Sequence, residues 1–182
     1  DYDGWRSERE RKAASAGEPL VTVALIGNDR DADVLASLES VLAQTYRNLE
    51  LLVVDAGMSE EHASAIRRKA EVRKIPLLWI GAVGETSSVA LNEAIERANG
   101  SYVNLLPAGD LFEPCRIADM VRYVADRGFE WGFGACRGID SAGRLVSLTE
   151  REEARWIAEI ADHVSSSDTV GAAPFSGLDP TL

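Results

Sequence analysis

The sequence predicts an α/β fold of three layers, with helices covering both faces of a mostly parallel central sheet. Three observations predict it. Short apolar runs rich in Val, Ile and Leu alternate with longer stretches of helical periodicity between Glu18 and Leu148. The run Leu49–Val54 is apolar at nearly every position, as a strand covered on both faces requires. The 182 residues, 46% of them hydrophobic, suffice for one sizeable core.

Leu20–Ile26, bounded by Pro19 and Gly27, reads as the first strand. Ala32–Tyr46 reads as a helix, because Val34, Leu35, Leu38, Val41 and Leu42 fall on one stripe. After the second strand, Leu49–Val54, Ser59 is placed to cap a helix that Ile75-Pro76 closes. Leu77–Ile80 is the third strand, and a helix from Thr86 or Ser87 to Asn99 stops at Gly100 as a C-terminal glycine. Tyr102–Leu106 is the fourth strand. Pro114 opens a helix that turns Ile117, Met120, Val121 and Val124 inward. Trp131–Arg137 and Leu145–Leu148 read as a C-terminal hairpin closed around Asp140-Ser141-Ala142-Gly143. Thr149 with Glu152 forms a capping box for a terminal helix reaching about His163. The organisation expected is an N-terminal helical extension over 1–18, one α/β domain over 19–164 and a disordered tail over 165–182.

A formal charge of −11 repels phosphate backbones and anionic lipid, so neither nucleic acid nor a membrane surface is an expected partner. No apolar run approaches the roughly 20 residues of a membrane span. Residues 1–18 carry no apolar h-region of a secretory signal. Cys115 and Cys136 have no CxxC spacing and are expected to be buried thiols of a cytoplasmic protein. His62 and His163 have no ligand partners at metal spacing. The glycine-rich stretch Gly132–Gly138 has spacing GxGxxxG with no helix after it, which fails the dinucleotide context, and Gly81–Gly84 lacks the lysine of a P-loop. Trp5, Trp79, Trp131 and Trp156 are scattered, more like core anchors than a sugar-stacking platform.

The passage Ser-Val-Leu-Ala-Gln-Thr-Tyr-Arg-Asn-Leu-Glu at Ser40–Glu50, followed by Leu-Leu-Val-Val-Asp, resembles a helix-to-strand passage of family 2 glycosyltransferases of the GT-A fold. Pro19–Val23 resembles that family's opening strand. Asn92–Tyr102 resembles the helix and strand leading to its metal site, and Leu111–Pro114 the segment just after it. Tyr2–Trp5 and Ile139–Arg144 suggest the subgroup that builds O-antigen-like polysaccharides. The resemblance covers roughly Tyr2 to Leu148 and implies sugar transfer from a nucleotide diphosphate donor. In such enzymes an Asp-x-Asp pair at a strand end holds a divalent cation that offsets the charge of the leaving diphosphate. A carboxylate of the acceptor half serves as general base.

The sequence departs from that pattern at the donor pocket. The resemblance places Pro107 and Gly109 where the two aspartates belong, with Asp110 beside them as a weak residual metal contact, or an N-cap or loop acid before the Pro114 helix. Asp55 matches an acidic position after the second strand, but Ala56 stands where a base-reading acid is expected. Gly27 and Asn28 replace a segment that usually brings a stacking tyrosine, and Leu91 replaces an arginine before Asn92. Gly84 belongs to the loop that the family sets beside the donor. Each lost base contact costs about 1–3 kcal/mol. No residue earns a catalytic role, and Glu150, Glu152, Glu153 and Glu159 read as a solvated helix face.

The expectation is a degenerate GT-A module acting in binding or scaffolding, partnered by an active glycosyltransferase or a missing acceptor domain. It needs no cofactor; were it active, Mg²⁺ or Mn²⁺ with a UDP- or dTDP-sugar would be required. The alternatives are an active transferase with a metal-weak donor site, and an unrelated doubly wound domain of the receiver or flavodoxin type.

Overall fold

The computed structural model of the protein describes residues 17–27, 33–82, 87–127, 132, 137–140 and 142–146. The chain divides into two compact units, Asp1–Phe133 and Gly134–Leu182. In the first unit, β1 (Val21–Gly27), β2 (Leu49–Asp55), β3 (Leu77–Gly81) and β4 (Tyr102–Pro107) form one parallel sheet in the order β3-β2-β1-β4. The helices are α1 (Val34–Leu42), α2 (Glu60–Arg73), α3 (Ser87–Arg97) and α4 (Arg116–Arg127). In the second unit, β5 (Gly138–Ile139) pairs antiparallel with β6 (Leu145–Val146).

Side-chain alternation along the strands builds the two sides of the sheet. Val21, Val23 and Leu25 of β1 and Leu49, Leu51 and Val53 of β2 pack on one side, with Val34, Leu38, Val41 and Leu42 of α1, Ile66 of α2 and Ile117 of α4. Ala24, Leu52 and Val54 point to the other side, where Ala90, Ala94 and Ala98 form a ridge of small residues one turn apart. The result is the three-layer α/β arrangement expected from the sequence.

The end of the sheet at the strand starts is closed by polar contacts. Glu50, 3% exposed, accepts hydrogen bonds from Thr22 Oγ1 (2.5 Å), Asn99 N (2.6 Å), Gly100 N (3.1 Å) and Asn99 Nδ2 (3.0 Å). A buried carboxyl group is tolerated only when so saturated. Through it β2 grips the turn that delivers the chain to β4, beside β1. Tyr46 closes the same region by donating its hydroxyl to the carbonyl of Pro19. Burial, with Glu18 and Tyr102 adding to it, pushes that phenol up to about 12.

Several elements differ from expectation. The first helix ends at Leu42 rather than Tyr46, because Thr45 N donates to Pro114 O (2.9 Å) in place of an intrahelical carbonyl. Ser59 caps α2 as expected, accepting from His62 N (3.3 Å). The fourth helix starts at Arg116, two residues after Pro114, and Cys115 is exposed in the turn before it rather than buried. Among the described residues hairpin pairing begins at Gly138, and Arg137 stands outside it. Asp140 sets that register: its Oδ1 accepts from Ala142 N and Arg144 N, both 2.9 Å, closing the turn directly after Ile139. The N-terminal extension, Cys136, the capping box at Thr149, the terminal helix and the tail lie outside the described residues.

Candidate functional site

The strand order identifies where a ligand belongs. The chain steps outward from β1 to β2 to β3, then α3 returns it to the opposite flank of β1 as β4. Adjacent connections therefore leave in opposite directions at the carboxyl ends of β1 and β4, and open α/β sheets bind ligands in that crevice. Gly27 pairs with Asp55 across β1 and β2, and Ile26 with Pro107 across β1 and β4. Six of the nine candidate pocket residues, Gly27, Asp55, Ala56, Pro107, Gly109 and Asp110, thus gather at neighbouring strand tips. Asn92 is exposed within α3, and no hydrogen bond among the described residues joins it to the tips. Asn28 and Gly84 lie outside the described residues.

The tips are stitched to one another through the backbone. Ala56 N donates to Gly27 O (2.9 Å), Ala82 N to Asp55 O (2.7 Å) and Ala108 N to Ile26 O (2.8 Å). Asp55 turns its carboxyl group inward, where Oδ1 accepts from Gly57 N (2.9 Å) and Met58 N (2.7 Å). This turn sets Gly57 at φ +110°. Gly27 is buried beneath Met58 and Ala108: a Cβ there would lie 3.1 Å from Val34 Cγ2 and 3.4 Å from Met58 Sδ.

At the β4 tip, Pro107, Gly109 and Asp110 are all exposed. Asp110 N donates to Pro107 O (3.1 Å), making the acid a turn residue well ahead of α4 rather than its cap. Gly109 N donates to Ser37 Oγ of α1 (2.9 Å). The amides of Ala56, Gly57, Met58, Ala82, Ala108, Gly109 and Asp110 are therefore all spent on internal acceptors. An anion approaching here meets carboxyl groups and no unspent amide among these seven.

The divalent cation implied by the resemblance does not fit these residues. Hard cations take several oxygen ligands, and neither Pro107 nor Gly109 has a side-chain oxygen. Among the described residues no three His, Cys, Asp or Glu side chains gather in one place.

Sequence reasoning missed the polar residues along α1 and just past its end. Ser37 and Ser40 on α1, and Gln44 two residues beyond it, all reach the segment after β4 or the start of α4. Ser40 Oγ accepts from Phe112 N (3.0 Å) while donating to Ser37 O (2.7 Å). Gln44 accepts from Ile117 N (3.1 Å) and donates to Glu113 O (2.8 Å). The signal lay in the resemblance passage itself, whose Ser and Gln interrupt an apolar stripe. The Arg67 guanidinium lies 4.4 Å from the Trp79 ring centroid.

The fold is that of a GT-A module. Among solved structures, the chain superposes with a TM-score of 0.51 on a mannosyltransferase of Pyrobaculum calidifontis in complex with GDP-Man and Mn²⁺, at 27% identity over 67% of this chain and 39% of that one. It superposes equally, with a TM-score of 0.51 but 17% identity over 60% of this chain and 33% of the other, on S. aureus TarS in complex with UDP, a likeness of fold alone. The family model described as Glycosyl transferase family 2 matches residues 28–177, and the chain belongs to that family.

Curated relatives agree. An O-antigen biosynthesis protein of Myxococcus xanthus is 29% identical over 132 residues, 66% of this chain and 10% of that protein. An uncharacterized protein of Sinorhizobium fredii is 30% identical over 132 residues, 66% of this chain and 14% of its own length. A UDP-Glc:alpha-D-GlcNAc-diphosphoundecaprenol beta-1,3-glucosyltransferase of Escherichia coli is 25% identical over 108 residues, 58% of this chain and 41% of that one. The chain spans less than a fifth of the first two. No helix among the described residues is long and apolar enough to cross a membrane.

Proposed function

We propose that this chain is a GT-A module of glycan synthesis whose donor site has lost metal-dependent sugar transfer, and that it acts by binding or scaffolding. The observation that carries this reading is the β4 tip. Pro107 and Gly109 offer no cation ligand, Asp110 alone offers little, and the nearby amides are already donated. A leaving diphosphate would find nothing in these residues to offset its charge. The partner we infer is an active transferase or an acceptor-binding domain, in keeping with the greater length of the relatives.

The decisive measurement is calorimetric titration with UDP- and dTDP-sugars, with and without Mn²⁺. Absence of micromolar, Mn²⁺-dependent binding is the expected result, and its presence would overturn the reading.

A second reading draws on the carboxyl groups retained at two tips and on the 27% identity to an enzyme solved with GDP-Man and Mn²⁺. There Asp55 faces the nucleotide, while Asp110 with Asn92 faces the diphosphate or sugar. Turnover of a nucleotide sugar abolished by Asp110→Asn would support it.

A further inference from the structure

We propose that the carboxyl-terminal end of α2 is a docking surface for a short acidic protein segment that brings an apolar side chain with it. The inference deepens the reading above, that the chain acts by binding a protein partner, and rests on it.

The chain carries a formal charge of −11, yet its basic residues are gathered. Five of the nineteen lie within Arg67–Lys74, where Glu71 is the one acid, so this stretch is +4 and the remainder of the chain −15. Two of the five serve the fold. Arg67 lies over Trp79 and pairs with Glu60 (3.3 Å), and Lys69 ties α2 to Glu39 of α1. Arg68, Arg73 and Lys74 are exposed and make no ion pair among the described residues.

Helix physics accounts for part of this. A cation in the last turn offsets the negative end of the helix dipole, and Arg73 supplies it. It does not account for Lys74 or Val72. Lys74 has left-handed backbone, φ 55° and ψ 36°, which glycine adopts at least cost, and no other non-glycine among the described residues has positive φ. The turn closes through Lys74 N to Glu71 O and Ile75 N to Ala70 O, both 3.0 Å, which fixes the lysine at the helix end. Val72, 74% exposed, is the most exposed large hydrophobic side chain among the described residues. It follows Arg68 by four positions, so the two share the outward face of α2.

This surface stands away from the crevice. Helix α2 runs back from the β2 tip to the strand starts, where Leu51 N donates to Pro76 O (2.8 Å) as β3 begins. Arg47, exposed on the connection into β2 and also without an ion pair among the described residues, stands at the same end. Charge selects the partner. A short acidic segment confined to this end lies within about 10 Å of its cations, the screening length of physiological salt, and is screened from acids beyond. A membrane or nucleic acid is extended and meets the repulsion of the remaining −15 as well. Val72 adds an apolar contact that charge alone does not need.

Amide spectra of the isotope-labelled whole chain test this during titration with a short synthetic peptide of glutamates around one central leucine. Shifts are expected at Arg68, Val72, Arg73 and Lys74 and not at Gly27, Asp55 or Gly109. Arg68→Gln with Arg73→Gln should weaken binding about fivefold or more, and Val72→Ser about threefold, each with an otherwise unchanged spectrum. The proposal is overturned if the glutamine counterpart of the peptide binds equally, if the shifts fall elsewhere, or if the double variant binds as wild type does. It is also overturned if vesicles of phosphatidylglycerol shift these amides more than the peptide does, or if sedimentation shows the patch covered by a second copy of the chain. Titration with nucleotide sugars reports on the crevice at the other end of the sheet, so the two ideas can fail independently.

Discussion

Gly100 and Gly57 are glycines for different reasons, and the difference is measurable. At Gly100 a Cβ would lie 2.5 Å from Thr22 N, 2.6 Å from Thr22 Oγ1 and 2.8 Å from Tyr102 O. Two of those atoms are backbone, so relief means parting β4 from β1 or losing the Glu50 contacts. At Gly57 the space is open and only φ, at +110°, resists a side chain. Gly100→Ala should cost about 3 kcal/mol or more and Gly57→Ala about 1 kcal/mol, read by urea denaturation. The position of Gly100 was legible in the sequence, but its reason was not. It reads there as a left-handed helix stop, whereas the constraint comes from a strand that is distant in sequence. Tyr46 yields a pH prediction. The fold holds its phenol neutral, raised from 10.0 to about 12, so its contribution is complete below pH 10 and is lost as pH rises through 12. Tyr46→Phe lacks this ionisation, and its stability should fall less steeply than wild type between pH 10 and 12.

Among the elements, the apolar stripes were the legible part, because period 3.6 and period 2 survive in composition whatever the tertiary context. Polar residues at a helix edge are not legible in that way. Ser37 and Gln44 look identical in sequence to solvated positions, and only the segment after β4, some seventy residues away, makes them buried acceptors. The same limit applied to the hairpin: its turn chemistry was readable at Asp140–Gly143, but the register followed from which residues the Asp140 side chain closes upon. Arg144 holds that carboxyl below the usual range, first through its backbone N–H and then through its guanidinium, with Ala142 N–H adding. Helix α3 offers a sharper test of packing. Ala94 is 0% exposed at the middle of the alanine ridge, so Ala94→Leu should overpack the layer and cost about 1–3 kcal/mol. Val72→Ser, at a side chain 74% exposed on α2, should stay within about 0.5 kcal/mol of wild type by the same denaturation measurement.

At the scale of the whole molecule, the donor region that the resemblance implies would draw on chain segments far apart in sequence, and the proposed departures from the family pattern are spread over them. Pro107 and Gly109 belong to the β4 tip, Ala56 to the β2 tip and Leu91 to α3, the crossover that leads into β4. A pocket of this kind fails by parts, and repairing one part leaves the others. Pro107→Asp with Gly109→Asp puts two carboxylates one residue apart at the β4 tip. Position 109 has room, with nothing within 4 Å, and tolerates the change at about 1–3 kcal/mol of backbone strain. Ser37 still holds the amide there, so the loop keeps its shape. On the proposed reading, the double variant should therefore gain weak Mn²⁺ binding over wild type, visible by calorimetry in the absence of nucleotide. Micromolar UDP binding should not return with it, because the base-reading acid and the arginine expected beside Asn92 are still missing, each worth a factor of ten or more. If UDP binds the double variant tightly, the lesion is confined to one strand tip, and the picture of a site eroded across three elements is wrong.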